Sequence, residues 1–158
     1  MFCRSTGPAL SPFNAWVLSK SIETLDVRME RHASNALCIA QSLETHPSIA
    51  SLKYPFLASH PHYAIAIKQM QNGGGIVCFE LKGGIEAGRK FLDQLQMLSL
   101  TANLGDTRSI ASHPASTTHA KLSEAERQAV KITPGLIRIS VGLENKEDIL
   151  ADILQALN

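Results

Sequence analysis

Residues 134–144 read Pro-Gly-Leu-Ile-Arg-Ile-Ser-Val-Gly-Leu-Glu, and this stretch decides the fold. Ile137, Ile139 and Val141 stand at alternate positions, which is the period of a β-strand with one apolar face. The Pro134-Gly135 pair in front of them predicts a turn. The stretch is therefore predicted to be a strand that buries its Ile/Val face.

Arg138 is the most informative residue of this strand, because alternation places it on the face opposite the isoleucines, with Ser140 and Gly142. An unpaired buried charge is very costly, so a sequestered arginine needs an anionic partner. Its fork of N–H donors suits a carboxylate held by two hydrogen bonds. From residue type alone, a surface arginine or an internal pair with a nearby acid is the commoner arrangement.

A second strand is predicted from the apolar run Ile76–Leu81, which ends at Gly83-Gly84. Weaker strand patterns cover residues 49–54 and 98–102, and helical patterns lie between and after them. The order of elements predicts an α/β domain whose small mixed or antiparallel sheet of about four strands is covered by helices. Residues 46–158 are assigned to this domain.

A long helix is predicted in front of this domain. Ser11 is a favoured N-cap and Pro12 a favoured first helical residue, and apolar residues recur every three or four positions from Leu18 to Leu43. One helix over residues 11–44 would be about 50 Å long at the usual rise per residue. That length exceeds a domain of this size, so residues 11–45 are predicted to link it to another body.

The region from Asn103 to Lys121 shows neither helical nor strand period and is predicted to be a long loop. Residues 103–109 could offer backbone donors to an anion around Gly105, although an ordinary turn is the simpler interpretation. Residues 113–119 hold two histidines and three hydroxyls. A metal site or a Ser/His pair is conceivable there, but a loop held by local hydrogen bonds is favoured.

Composition excludes several classes of function. Lys and Arg number 15 against 14 Asp and Glu, without a block of like charge, which argues against nucleic-acid or anionic-membrane partners. No apolar run has the length of a membrane span, and residues 1–6 lack a signal-peptide core. Three cysteines without close spacing argue against a disulfide framework or a zinc site, and they fit a reducing, cytoplasmic setting.

Several co-linear segments resemble the Cys/Met-metabolism family of fold-type I pyridoxal-phosphate (PLP) enzymes. The resemblance covers essentially the whole chain, and motifs in the same order are far more specific than any single one. The segments are Gly7–Trp16 (GPALSPFNAW), Glu23–His32 (ETLDVRMERH), Asn103–Ser109, His113–His119 and Pro134–Glu144 (PGLIRISVGLE).

This resemblance implies the C-terminal small domain of such an enzyme, with the most similar pattern found in O-succinylhomoserine and O-acetylhomoserine sulfhydrylases. These enzymes use PLP to replace the γ-ester group of a homoserine ester with sulfide, which yields homocysteine for methionine biosynthesis. The synthase and lyase branches carry Ser-Leu-Gly-Gly where this chain has Asn103-Leu104-Gly105-Asp106. That difference favours the sulfhydrylase branch.

The resemblance also assigns residues to the substrate site. Arg138 matches the family arginine that binds the substrate α-carboxylate, which reverses the interpretation from residue type alone. Asn103 and Leu104 match the stretch that helps to hold the same carboxylate. Thr118 matches a loop threonine near the active site and receives no firm role.

The chain departs from the family in one essential feature, because the lysine that carries PLP lies in a Ser-x-Thr-Lys context that is absent here. The chain is therefore predicted to be a C-terminal fragment that contributes the carboxylate clamp, is not catalytic alone and binds no PLP. Residues 1–10 are predicted to be a remnant of the missing PLP-binding domain.

The expected partners are an amino-acid substrate, the missing PLP-binding domain and further copies of the chain in a homo-oligomer. Three alternatives stay open at this stage. The chain could derive from a cystathionine γ-synthase or γ-lyase. It could be a stand-alone, non-catalytic interaction module, or, least consistent with the motifs, an unrelated α/β binding domain.

Overall fold

The computed structural model describes Gly7 and residues 9–158, and these residues form five strands and six helices. In chain order they are α1 (Pro12–Ile22), α2 (Leu25–Leu43), β1 (Ile49–Lys53), α3 (Tyr63–Gln69), β2 (Ile76–Leu81), α4 (Gly84–Gln94), β3 (Ser99–Leu100), β4 (Ile110–Ser112), α5 (Glu124–Ala129), β5 (Leu136–Ser140) and α6 (Lys146–Ala156). The α/β prediction is confirmed. Most of the predicted remnant at 1–10 lies outside the described residues, so that assignment stays a prediction.

The strands form one mixed sheet in the order β1-β2-β5-β4-β3. All neighbours are antiparallel except β3 and β4, which run parallel. The two strands with the strongest sequence patterns, β2 and β5, pair directly, with Val77 opposite Ile139 and Phe79 opposite Ile137. The strand predicted last in the chain therefore lies in the centre of the sheet.

The sequence predicted about four strands, and β4 is the strand that it missed. Residues Ile110–Ser112 lie inside the region predicted to be a loop, and all three are buried. A run of three residues that are buried on both faces shows no alternation, so it carries no periodic signal. Between β5 and β3, this short strand fixes where the preceding loop meets the sheet.

One face of the sheet is covered by helices α2, α4 and α6, which contact the sheet or one another. The inner side chains of β2 and β5 are fully buried, and Phe79 meets Phe91 of α4 edge-to-face at a centroid distance of 5.6 Å. This two-layer arrangement buries the apolar side chains, and no helix of the described residues forms a comparable layer on the opposite sheet face, which carries Arg138.

The single long helix predicted from residue 11 to residue 44 is interrupted. Helix α1 ends at Ile22 and α2 begins at Leu25, with Thr24 at φ −109° and ψ 12° outside the helical region. The Arg28 guanidinium donates to the carbonyl oxygen of Ser21, which satisfies an acceptor freed by the break. No proline or glycine occurs at the break, so the apolar periodicity of the sequence continues through it and gives no sign of an interruption.

Helix α1 differs from the other long helices because none of its residues is buried. Phe13 and Trp16 are 68% and 59% exposed, and their ring centroids lie 6.0 Å apart. Its N-terminus is capped as predicted, with Ser11 Oγ accepting a hydrogen bond from Asn14 N at 3.2 Å. Packing normally supplies most of a helix's stability, so α1 is held here mainly by local interactions.

Asp152 of α6 fastens this helix to the segment between α4 and β3. Its carboxylate accepts hydrogen bonds from the backbone N–H groups of Gln96, Met97 and Leu98 at 2.9–3.0 Å. Burial raises the pKa of Asp152, but these donors and the Gln155 side chain outweigh burial, so the net pKa is lowered. The sequence alone assigned no role to this carboxylate. In the folded chain it connects two segments that are distant in sequence.

The part of the chain that the structure describes contains neither a candidate membrane span nor a candidate metal site. None of its helices combines the length and apolar character needed to cross a bilayer. No cluster of three or more His, Cys, Asp or Glu residues could hold a metal ion there.

Candidate functional site

Arg138 lies in the middle of β5, on the sheet face that the helices do not cover. The register places Cys78 of β2 on one side of it and Ser112 of β4 on the other. Burial raises the pKa of the Cys78 thiol, and the positive charges of Arg138 and Lys53 oppose that rise only in part. The thiol therefore stays neutral near pH 7 and supplies no negative charge to Arg138.

The partners of Arg138 come from residues 102–109, which we call the clamp loop. Arg138 Nη2 donates hydrogen bonds to the carbonyl oxygens of Ala102 at 2.8 Å and Asn103 at 3.2 Å. No ion pair joins Arg138 to any acid of the described residues. The alternative of an internal ion pair thus has no support in the described residues. The structure brings the Arg138 side chain to the Asn103 backbone, and a role of either residue in binding a carboxylate stays a prediction.

The clamp loop turns sharply at Gly105, which has φ +85°, a conformation that L side chains rarely adopt. The Gly105 N–H donates to Ser140 Oγ at 3.1 Å. Ser140 lies two residues after Arg138 on the same strand face. One strand therefore provides both the guanidinium and an acceptor that fixes the loop beside it.

A second arginine, Arg108, lies in the clamp loop, and its charge is already neutralised by Asp106. Arg108 Nη2 lies 2.9 Å from Asp106 Oδ2, and Arg108 N also donates to Asp106 Oδ1 at 3.0 Å. These hydrogen bonds hold the pKa of Asp106 well below its ordinary value, so its carboxylate stays charged. Of the two arginines, Arg138 is the one whose charge is not matched by a neighbouring carboxylate within the described chain.

A pocket of about 210 Å³ adjoins the clamp loop. Its wall is formed by Leu25, Arg28 and Met29 of α2, while Leu104, Gly105 and Ser140 lie on the side of the clamp. Leu104, which the family pattern assigned to the carboxylate site, is 58% exposed at its edge. Arg138 itself does not line this pocket, and its connection to the mainly apolar concave surface runs through the clamp loop.

Thr118 is not joined to this group by any hydrogen bond of the described residues. It is exposed, and its Oγ1 lies 2.8 Å from His119 Nδ1. Nearby, His113 is buried between Ser116 Oγ at 2.8 Å and Pro134 O at 2.7 Å. These contacts match the expected loop held by local hydrogen bonds, and a role for Thr118 in substrate binding stays a prediction.

Sequence reasoning missed the residues that support the clamp loop. Ser140 could have been found from alternation, because it shares a strand face with Arg138. Ser109 and Glu144 could not, because their contact joins residues 35 positions apart and depends on the folded sheet.

The whole chain, residues 1–158, matches the family model described as Cys/Met metabolism PLP-dependent enzyme. An O-acetyl-L-homoserine sulfhydrylase of Leptospira meyeri is 51% identical over 156 residues, which span 98% of this chain and 35% of that protein. An L-methionine gamma-lyase of Porphyromonas gingivalis is 46% identical over 97% of this chain and 38% of its own length. An O-succinylhomoserine sulfhydrylase of Pseudomonas aeruginosa is 44% identical over 99% and 39%.

Among solved structures, a Campylobacter jejuni protein assigned as an O-acetylhomoserine (thiol)-lyase superposes with a TM-score of 0.91 at 43% identity. The match covers 99% of this chain and 38% of that chain, which carries a pyridoxyl-lysine. This chain therefore spans little more than a third of the length of the relatives that it matches.

Proposed function

Because the chain belongs to the Cys/Met metabolism PLP-dependent enzyme family, we propose that it is the carboxylate-binding part of a homoserine-ester sulfhydrylase. In the assembled enzyme, Arg138 binds the α-carboxylate of O-acetyl- or O-succinyl-L-homoserine. The clamp loop around Asn103 and Leu104 completes this subsite. The reaction replaces the ester group with sulfide and yields homocysteine.

The observation that carries this proposal is the state of the Arg138 guanidinium. Only Nη2 is engaged by carbonyl oxygens of the clamp loop, so Nε and Nη1 have no acceptor within the described chain. Both paired donor sets of a guanidinium, Nε with Nη2 and Nη1 with Nη2, include Nη2, so here a carboxylate accepts charge-assisted hydrogen bonds from Nη1 or Nε singly. The two carbonyls fix the guanidinium before the ligand arrives, which lowers the entropy cost of binding.

The described residues do not fit the anchoring of PLP. Every lysine of the chain is exposed, and none follows the Ser-x-Thr pattern of the family. We therefore assign no chemical step to this chain beyond holding the substrate carboxylate. The cofactor lysine belongs, in this proposal, to a PLP-binding domain that assembles with the chain, and the exposed apolar residues of α1 are suited to such a contact.

A second candidate is a γ-lyase, which eliminates the γ-substituent without replacing it. The Porphyromonas gingivalis relative and a Pseudomonas putida relative, at 46% and 49% identity, are both named L-methionine gamma-lyase. The Asn103-Leu104-Gly105-Asp106 sequence favours the sulfhydrylase branch of the family. Assays of both reactions separate the two candidates.

The isolated chain is expected to form no stoichiometric adduct with PLP. Each lysine side chain is exposed, so its reaction with an aldehyde is expected to be weak and without preference for one position. Borohydride reduction followed by peptide mass spectrometry measures this, with the same treatment of a lysine-bearing sulfhydrylase as the positive control. One fully modified lysine in the isolated chain would contradict the proposal.

A chimera tests the reaction itself. The part of the Leptospira meyeri relative that precedes its similarity to this chain is joined to the chain, replacing the relative's own C-terminal part. The expected product from O-acetyl- or O-succinyl-L-homoserine and sulfide is homocysteine. An Arg138→Lys chimera is expected to raise KM by about tenfold or more, because a compact ammonium group cannot keep the two clamp-loop carbonyl contacts and reach the carboxylate in the same geometry. Cleavage of L-methionine without sulfhydrylation would favour the γ-lyase, and an inactive, folded chimera would contradict both candidates.

A further inference from the structure

The clamp loop is held in place by a carboxylate that touches neither Arg138 nor the proposed ligand position. Ser109 ends the loop and is fully buried. Its N–H and its hydroxyl both donate to the carboxylate of Glu144, at 2.6 Å and 3.0 Å. Hydrogen bonds to a charged acceptor are roughly twice as strong as neutral ones.

No cation of the described residues forms an ion pair with Glu144. Its half-buried carboxylate accepts the hydrogen bonds of Ser109, and its charge also acts at longer range on Arg108 of the clamp loop. Moving the loop away would leave a partly buried carboxylate without these donors, which is costly. The hydrogen bonds of Glu144 thus favour the docked position of the loop.

The turn that carries Glu144 is fixed from the other side by Asn35 of α2. Asn35 is 1% exposed, and its Nδ2 donates to the carbonyl oxygens of Gly142 at 3.0 Å and Glu144 at 2.9 Å. Its Oδ1 has no hydrogen-bond partner in the described chain. An unpaired buried acceptor is unfavourable, whereas the two donated bonds join the turn to α2.

The loop and the turn are further joined by two backbone contacts. Leu143 N donates to Thr107 O at 2.8 Å, and Gly142 N donates to Ser109 Oγ at 2.9 Å. Hydrogen bonds therefore connect Asn35 through the turn to Glu144 and Ser109 at one end of the clamp loop, and Ala102 and Asn103 to the Arg138 guanidinium at the other end. Between these ends the connection runs along the backbone of the loop.

We propose that Glu144, supported by Asn35, is a positioning residue of the carboxylate clamp. It keeps the clamp loop docked so that the carbonyl oxygens of Ala102 and Asn103 orient Arg138 towards an incoming carboxylate. This inference rests on the proposed role of Arg138 and deepens it. Glu144 itself makes no contact with the ligand.

The test uses the complete 158-residue chain and nitrogen-15 NMR of its arginine side chains. The Arg138 signals are assigned by their loss in Arg138→Lys. In the unmodified chain, the two carbonyl acceptors should slow rotation about the Cζ–Nη2 bond and separate the Nη signals. Glu144→Ala should average them, whereas Glu30→Ala should not, although it removes the same charge from an exposed position of α2.

A titration with L-homoserine, whose carboxylate is the probe, provides the second measurement. The expected dissociation constant rises about tenfold in Glu144→Ala, which corresponds to 1.4 kcal/mol. Glu144→Gln retains one acceptor for Ser109 N but loses the charge, so it should lie between Ala and the unmodified chain. It also decides the matter if Glu144→Ala does not fold. Exchange protection of the Gln96–Leu98 amides, which Asp152 holds, reports overall folding.

The outcomes separate this inference from the proposed function. If L-homoserine shifts the Arg138 signals equally in the unmodified chain and in folded Glu144→Ala or Glu144→Gln, the positioning role is wrong and the clamp stands. If the unmodified chain shows ordered Arg138 signals that L-homoserine does not change, the carboxylate clamp is wrong, and the positioning inference falls with it. A graded loss from Glu to Gln to Ala, with Glu30→Ala unchanged, supports both.

Discussion

Asp152→Asn is expected to lower the free energy of unfolding by about 2–3 kcal/mol, the size of hydrogen bonds to a charged acceptor in a buried place. The carboxylate accepts from three consecutive backbone N–H groups. An asparagine keeps one oxygen and turns an NH₂ group towards a remaining donor. Urea denaturation followed by circular dichroism measures the loss.

The same carboxylate should make stability depend on acid pH. Its folded pKa lies below the ordinary value of 3.8, so the ionised form favours the folded state. This contribution is fully present above the unfolded pKa and is lost as the pH falls through the folded pKa. Stability should therefore fall on acidification in the unmodified chain, and Asp152→Asn should flatten that part of the pH profile.

Asp148→Asn is the matched control, because Asp148 is exposed in the first turn of the same helix. Removing its charge there should cost about 0.5 kcal/mol through the helix dipole. Equal losses in the two variants, or an acid profile that Asp152→Asn leaves unchanged, would mean that the three backbone bonds contribute little.

Gly142→Ala is the second substitution with a large expected effect. A Cβ atom at this position would lie 2.5 Å from both the carbonyl carbon of Arg108 and the backbone nitrogen of Ser109, and would also meet the Glu144 carboxylate. Backbone atoms cannot rotate away, so the clamp loop must move off β5. Such overpacking costs about 1–3 kcal/mol. We expect the upper end of that range, with averaged Arg138 signals.

Gly105→Ala distinguishes the steric effect of an added Cβ from the conformational effect of a positive φ in the same loop. Nothing lies within 4 Å of the Cβ that it would add, but its φ of +85° disfavours any side chain. The expected loss is about 1–2 kcal/mol, the usual cost of a left-handed residue. If Gly142→Ala were as stable as the unmodified chain, the close approach of the loop to β5 would be wrong.

The sequence predicted those parts of the fold whose signal is periodic. The apolar run Ile76–Leu81 and the alternation around Arg138 predicted β2 and β5, and the cap predicted at Ser11 is confirmed. The break near Thr24 and strand β4 were missed, since one lacks a proline or glycine and the other is too short for alternation.

The residues of the candidate site also divide into those that the sequence predicted and those that it missed. For Arg138 a strand pattern and a family pattern point to the same residue, whereas Asn103 was assigned from the family pattern alone. The hydrogen bonds from Asn35 to Gly142 and Glu144 join residues that are 107 and 109 positions apart in the sequence, and only the folded sheet brings these residues together. For Thr118 the folded structure supplies no partner in the clamp, so its assignment still depends on the family pattern.

The central position of β5 has a consequence for synthesis on the ribosome. This strand joins β2 on one side and β4 on the other, yet it is translated after all four of the others. Until residue 140 has left the exit tunnel, the nascent polypeptide holds two separate strand pairs whose unpaired edges can recruit other chains. A premature stop codon upstream of Leu136 should therefore yield aggregates rather than a smaller soluble product.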